Sequence, residues 1–288
     1  MIFILKALLK YFIVFFAVMF SSSLLFSSCG IEKKIANDFV KNLPEINLQV
    51  FTPAYVYKYN HKGEQVPGLA SMSDREQDSA LMAGSKFIQY IDDSLFLDHY
   101  VNNFIDELRA LNFKVYLDSS LDSLLSGKPQ SYVVNLAQVQ LDEYTYPLED
   151  AEPVDDTVYR MKFDLNAVDG ESWFELSKLN SQKPVKTVLY SAFTANDAFQ
   201  GNFFIDPFSN RGVRYKYKID SLKVRDIYNM AEFMGKKNAS YLFDYFMNQY
   251  VAYHMPEGVE VRTIYHYNRF RRLLEKVDDD RFEVQESK

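Results

Sequence analysis

The chain has 288 residues, 48% of them hydrophobic and 25% charged, the composition of a folded globule long enough for one large domain or two modest ones. Its net charge of −7 argues against nucleic acid as a partner, because binding phosphates calls for a basic face. With a single cysteine, Cys29, no disulfide framework can form within the chain.

The first thirty residues read as an export signal. Lys6 and Lys10 make a basic start, Tyr11 to Phe20 is a short apolar run, and Ser21–Ser23 break it. The run is too short for a comfortable membrane span. It leads to "LLFSSCG", in which Leu25, Phe26, Ser27 and Ser28 precede Cys29 and Gly30 follows it. This stretch resembles the lipobox of bacterial lipoproteins, with Phe26 where an aliphatic residue is usual. The resemblance implies that residues 1–28 are a signal peptide, that cleavage frees Cys29, and that its sulfur and nitrogen are acylated. Several acyl chains on one residue anchor a protein stably. The expected first partner is therefore the membrane, through Cys29. Gly30 stands where an Asp holds enteric lipoproteins at the inner membrane. By that analogy the expected address is the outer membrane, facing either the periplasm or the cell surface. No free thiol then remains for nucleophilic or metal chemistry.

Residues 29–44 follow as a tether. Ile31, Ile35, Phe39 and Val40 fall at helical spacing and the pattern stops at Pro44. "INLQVFTPAYVYKYN" reads as strand, with Pro53 marking a bulge or an edge. Residues 60–86 are polar, contain Gly63, Pro67 and Gly68, and read as a long loop. Leu97, Tyr100, Val101, Phe104, Leu108 and Leu111 then share one helical stripe. "FKVYL" follows as a strand, "LDSLLSG" as a short helix and "SYVVNLAQVQLDEYTY" as a long alternating strand. This is an α/β layer, a helix on a small sheet, over residues 45–150.

The acidic stretch 147–156, with two prolines and no apolar stripe, is the expected boundary. Beyond it, over 151–288, strands dominate: 157–168, 172–179, 185–193, 201–206 and 212–219. Alternation is plain in the last, where Val213, Tyr215, Tyr217 and Ile219 oppose Arg214, Lys216 and Lys218. Two helices come next, one over 224–234 ending at Gly235 and one over 238–255, the second apolar on most sides. A strand at 259–267, a basic helix in "NRFRRLLEK" and a charged tail finish the chain. The expected fold class is α+β: an N-terminal α/β layer, then an antiparallel β-rich part capped by helices.

Candidate chemistry is sparse. His61, His99, His254 and His266 are scattered without metal-ligand spacing, so no metal or cofactor is expected. There is no serine elbow and no glycine-rich phosphate loop. The run Asp278–Asp280 lacks the alternating ligands of a calcium loop and reads as a solvated turn. Two acid pairs, Asp92–Asp93 and Asp142–Glu143, are of a kind that serves glycosidases. Aromatic residues reach 16%, with 24 Phe and 21 Tyr against one Trp. That bias fits a Tyr-rich sheet, and also surfaces that bind sugars or proteins.

One pattern recurs. Asp, then Ser or Thr, then a small or aliphatic residue places Ser79, Ser94, Ser123, Thr157 and Ser221 in five similar triplets. The triplets are similar to the acceptor motif of periplasmic O-glycosylation in some Gram-negative lipoproteins. Asp-Ser pairs also cap helices, and both readings stand at this point. The run "FKVYL…LDSLL…YVVNLAQVQL" resembles, in layout alone, auxiliary lipoproteins of envelope transport and assembly systems. The resulting expectation is a lipid-anchored, non-catalytic binding or assembly component, partnered with an envelope protein complex and not with nucleic acid. The alternative is a glycan-binding or glycan-hydrolysing lipoprotein.

Overall fold

The structure, a computed structural model, describes residues 30–63, 66–117, 131–154, 156–179, 185–206, 212–278 and 282–286. It is mixed α+β. In chain order the elements are α1 (30–42), β1 (Asn47–Phe51), β2 (Tyr57–Asn60), α2 (Asp74–Gly84), α3 (Asp93–Ala110), β3 (Lys114–Tyr116) and β4 (Ser131–Val154). They continue with β5 (Thr157–Lys178), β6 (Val185–Asn196), β7 (Ala198–Ile205), β8 (Val213–Asp220), α4 (Val224–His254), β9 (Ile264–Asn268), β10 (Leu273–Val277) and β11 (Phe282–Glu286). Two compact units divide the chain. The smaller takes the chain up to Glu45 with Ser240–Arg281, the larger Ile46–Ala239 and the chain from Phe282 onward. Helix α4 contributes its first half to the larger unit and its second half to the smaller.

The larger unit is built on a seven-stranded sheet in the order β11-β6-β5-β4-β1-β3. Strands β4, β5, β6 and β11 pair antiparallel, while β1 and β2 follow one another along the free edge of β4 and pair with it in parallel. Alternation decides the two faces. Leu48, Val50, Val134, Leu136, Phe174, Leu176 and Leu189 are buried on one of them. A register shift between Leu136 and Gln138 lets both Leu136 and Val139 point inward, with Ala137 absorbing the extra residue. Helix α3 and the first half of α4 cover this face, α3 through the Phe104–Phe174 ring contact at 6.0 Å. Beneath them Asn238 donates to Tyr100 Oη and Ser172 Oγ and accepts from Ser191 Oγ, each at 2.8 Å, so a fully buried amide is satisfied.

Beyond residue 144 the β4–β5 hairpin continues as a two-stranded ribbon through the acidic stretch 147–156. The boundary expected at 150/151 thus falls inside β4, between residues that pair with β5. Pro147 and Pro153 have the same parity along β4, so both nitrogens face the edge away from β5, where no ladder bond is lost. The β7–β8 hairpin packs on this ribbon through rings: Phe163 on Phe199 at 4.7 Å and on Tyr217 at 4.8 Å, and Tyr159 on Phe203 at 6.2 Å. Two narrow ribbons offer little depth for aliphatic packing, and large rings fill it.

In the smaller unit, α1 buries Ala36 and Phe39, with Phe39 against Phe243 and Tyr250. Asp244 and Asn248, one turn apart on α4, hold β9 as a neighbouring strand would. Asn248 exchanges bonds of 2.9 Å with the Tyr265 amide and carbonyl, and Asp244 accepts from the Tyr267 amide at 2.9 Å.

Three expectations are corrected. Residues 60–86 are not a continuous loop: α2 occupies Asp74–Gly84, started by a capping box between Ser73 and Glu76. The helix over 224–254 is single, running through Gly235 without a stop. "NRFRRLLEK" is no helix but the turn and second strand of the β9–β10 hairpin. The short helix expected in 121–127 lies outside the described residues.

Candidate functional site

Cys29 and Ser123 lie outside the described residues. Ser79 sits on α2, Ser94 in the first turn of α3, Thr157 at the start of β5 and Ser221 just after β8, all exposed and far apart in the fold order. The capping residues of α2 and α3 are Ser73 and Asp92, so the aspartates of the triplets at 78–80 and 93–95 are not caps. The hydroxyls form no common site; each is an accessible surface position.

The acid pairs separate. Asp92 accepts the Leu95 amide as the N-cap of α3, and Asp93 pairs with Lys58 at 2.6 Å. Asp142 and Glu143, being neighbours on β4, point to opposite faces. Each of the four histidines has its own partner: His61 with Asp142, His99 with Glu232, His254 with the Tyr250 carbonyl and His266 with Asp244. Among the described residues no three His, Cys, Asp or Glu side chains are arranged to hold a metal ion.

Glu143 is a buried carboxylate with four donors around it. Fully buried, it accepts Lys62 Nζ at 2.7 Å and the amides of Lys86, Phe87 and Ile88 at 2.7, 2.9 and 3.1 Å. Lys62 Nζ donates also to Asn166 Oδ1 at 3.0 Å. Asn166 in turn donates through its amide and Nδ2 to Asp197 Oδ2, whose other oxygen accepts the Leu222 amide at 2.7 Å. Burial would push the Glu143 carboxyl up, but the Lys62 ammonium and three amides outweigh it and hold the group below the ordinary 4.5. Asp197 is likewise held below 3.8, its burial outweighed by the Asn166 and Leu222 donors. A depressed carboxylate stabilises the fold fully above its unfolded value, and that contribution is lost as the pH falls through the folded value. Thermal unfolding from pH 7 to pH 2 should therefore show a plateau down to about pH 5 and a progressive loss below it. A melting temperature that is flat below pH 4 would contradict this network.

Glu143 is a clamp; the accessible chemistry lies on the other face of the sheet. Trp173 on β5 and Tyr190 on β6 are a directly opposed cross-strand pair, with ring centroids 4.9 Å apart and Tyr190 43% exposed. Beside them Gln138 donates to Gln140 at 2.9 Å and Gln140 to Asp142 at 2.6 Å, and His61 completes the row at 2.7 Å. Glu171 accepts the Tyr190 hydroxyl, and Asp169 accepts those of Thr194 and Tyr144. Burial and the Glu171 carboxylate, with Asp169 and Asp142 adding to it, push Tyr190 up to about 12, so its hydroxyl stays protonated and donating. The face thus combines a ring platform with amides and with carboxylates held by hydroxyl, amide and imidazole groups. Sequence reasoning missed it because neither the single Trp nor Tyr190 stands out before the β5–β6 register is known.

A comparison with protein-family models finds no match to the chain, and a comparison with curated proteins finds none either.

Proposed function

We propose that the protein is a lipid-anchored, non-catalytic binding component of the outer membrane, attached through Cys29 and working through the exposed sheet surface around Trp173 and Tyr190. The observation that carries this is the asymmetry of that sheet. One face is covered by α3 and the first half of α4 over a hydrophobic core, while the other, buried along β1 at Asn47 and Gln49, presents over β5 and β6 the Trp173–Tyr190 pair among hydrogen-bonding side chains. Two aromatic rings with a wet edge are what an interaction surface uses for contact area at low entropic cost. No helix among the described residues is long and apolar enough to cross a membrane.

A second reading, a glycan ligand, is favoured by the same pair: a sugar ring stacks its C–H face on indole or phenol while its hydroxyls donate to Asp142, Glu171 and the glutamines. The test runs in intact cells. Labelled fatty acid should enter the wild type and be absent from Cys29→Ala. A photoreactive residue at position 190 should give a defined adduct, absent when placed at the buried position 189. Adducts sensitive to glycosidase treatment select the glycan, and protease-sensitive ones a protein partner. Label retained in Cys29→Ala would remove the anchor from the proposal. Equal adducts from positions 190 and 189 would remove the face.

A further inference from the structure

In the smaller unit the exposed side of α1 and the end of α4 enclose an open groove of about 560 Å³, within the range of small-molecule sites. Ile31, Lys34, Asp38 and Lys41 follow one another along α1 at steps of three and four, with Ile35 one turn on from Ile31, and Tyr250, His254 and Pro256 form the opposite wall. The buried stripe of α1, with Glu32, Ala36 and Phe39, faces the other way. The walls are apolar: Ile31, Ile35, Pro256 and the Tyr250 ring, which packs on His254 with centroids 3.8 Å apart. The rim is basic. Both oxygens of its one carboxylate, Asp38, are already engaged, by Asn42 at 2.8 Å and by the Tyr250 hydroxyl at 3.0 Å. The ammonium groups of Lys34 and Lys41, both exposed, are thus left to face outward at the groove.

We propose that this groove holds an anionic phospholipid, one acyl chain lying between Ile31, Ile35 and Pro256 and the phosphate meeting Lys34 and Lys41. Charge complementarity names the occupant, since in a chain of net charge −7 this groove pairs apolar walls with a basic rim. Position supplies the source. The groove begins at Ile31, two residues after Cys29, so on the anchor reading it opens at the leaflet that holds the acylated cysteine. Only the source of the lipid rests on that reading; the fit of groove to amphiphile does not. Binding would seat the smaller unit against the membrane and add a second attachment to the covalent one.

The test uses the full chain, purified in detergent and placed in phosphatidylcholine vesicles doped with phosphatidylglycerol that carries a diazirine on one acyl chain. Photo-adducts should map to peptides containing Ile31–Lys41 and Tyr250–Pro256. Ile35→Trp, which fills the groove, should abolish them. The paired surface changes Lys34→Ala and Lys41→Ala should lower the preference for phosphatidylglycerol over equally labelled phosphatidylcholine by roughly tenfold, from loss of two charges near the lipid head. These lysines are exposed, so that variant tests the site even if Ile35→Trp disturbs α1. Adducts that map elsewhere, or that both variants leave unchanged, overturn the proposal, as does a crosslink to a second copy of the chain. Repeating the measurement on Cys29→Ala with lipid supplied in micelles separates the two readings. Groove adducts without fatty-acid label would sink the anchor and keep the site; label without groove adducts would do the reverse.

Discussion

Glu143→Ala should lower the stability of the larger unit by about 3–5 kcal/mol, the cost of stranding a buried charge when its partner is removed. Lys62, whose side chain is 4% exposed, would lose its counter-charge, and the amides of Lys86, Phe87 and Ile88 would lose their acceptor, the last two in buried positions. At about 2–4 °C per kcal/mol for a unit of this size, the melting temperature should fall by roughly 10 °C. Glu143→Gln is the informative companion. It keeps the shape and one acceptor oxygen but removes the charge, so it should cost less than Ala and should flatten the loss of stability below pH 4. The pair Lys62→Met with Glu143→Leu should recover much of the loss, because a buried ion pair replaced by apolar residues of similar volume is often neutral. If Glu143→Ala melts within a degree or two of the wild type, the clamp contributes nothing and the depressed carboxyl has no structural meaning.

The clamp also shows what could be read before the fold was known. The alternation of β4 was legible, and Val139, Leu141 and Glu143 share its inward parity. A carboxylate in an inward position is the one local sign of a buried charge, but it needs the strand's phase to be fixed first. Its partners come from the stretch 60–86, which reads as polar loop, and from Phe87 and Ile88 just beyond it. The same stretch hid α2, although Ser73 and Glu76 three residues on form a capping signature. Helix α3 was clear because its apolar stripe is complete. The hairpin at 264–277 was not, because Leu273 and Leu274 follow arginines at helical spacing. What turns the chain there is the Asn268 side chain accepting the Arg271 amide, with Arg272 at φ 52°. Trp173 and Tyr190 meet only through pairing register, which no local pattern states. The resemblance to a lipobox, read from contiguous residues, needs no register at all.

Gly235→Ala should be the most damaging single-methyl change in the chain. By helix propensity alone it would stabilise α4 by about 1 kcal/mol. Packing opposes this. A Cβ at Gly235 overlaps the Tyr100 carbonyl oxygen and lies 2.9 Å from the Phe104 amide nitrogen, so it meets the backbone of α3 and not a side chain that could rotate away. Overpacking against main chain costs typically 1–3 kcal/mol and here would also shift α3. The Asn238 bonds to Tyr100 and Ser172, one turn further along α4, depend on that spacing. The packing term wins, and a net loss of about 2 kcal/mol or more is expected. The order of variants separates this from a helix-ending role. A glycine closing a helix with positive φ is replaced most easily by Asn. Gly235 is not among the positive-φ glycines, which are Gly68, Gly212 and Gly258. Close approach therefore predicts that melting temperature falls with side-chain volume, Ala least, then Ser, then Asn. If Asn proves milder than Ala, α4 breaks at Gly235 in solution and the two-helix reading of the sequence is restored.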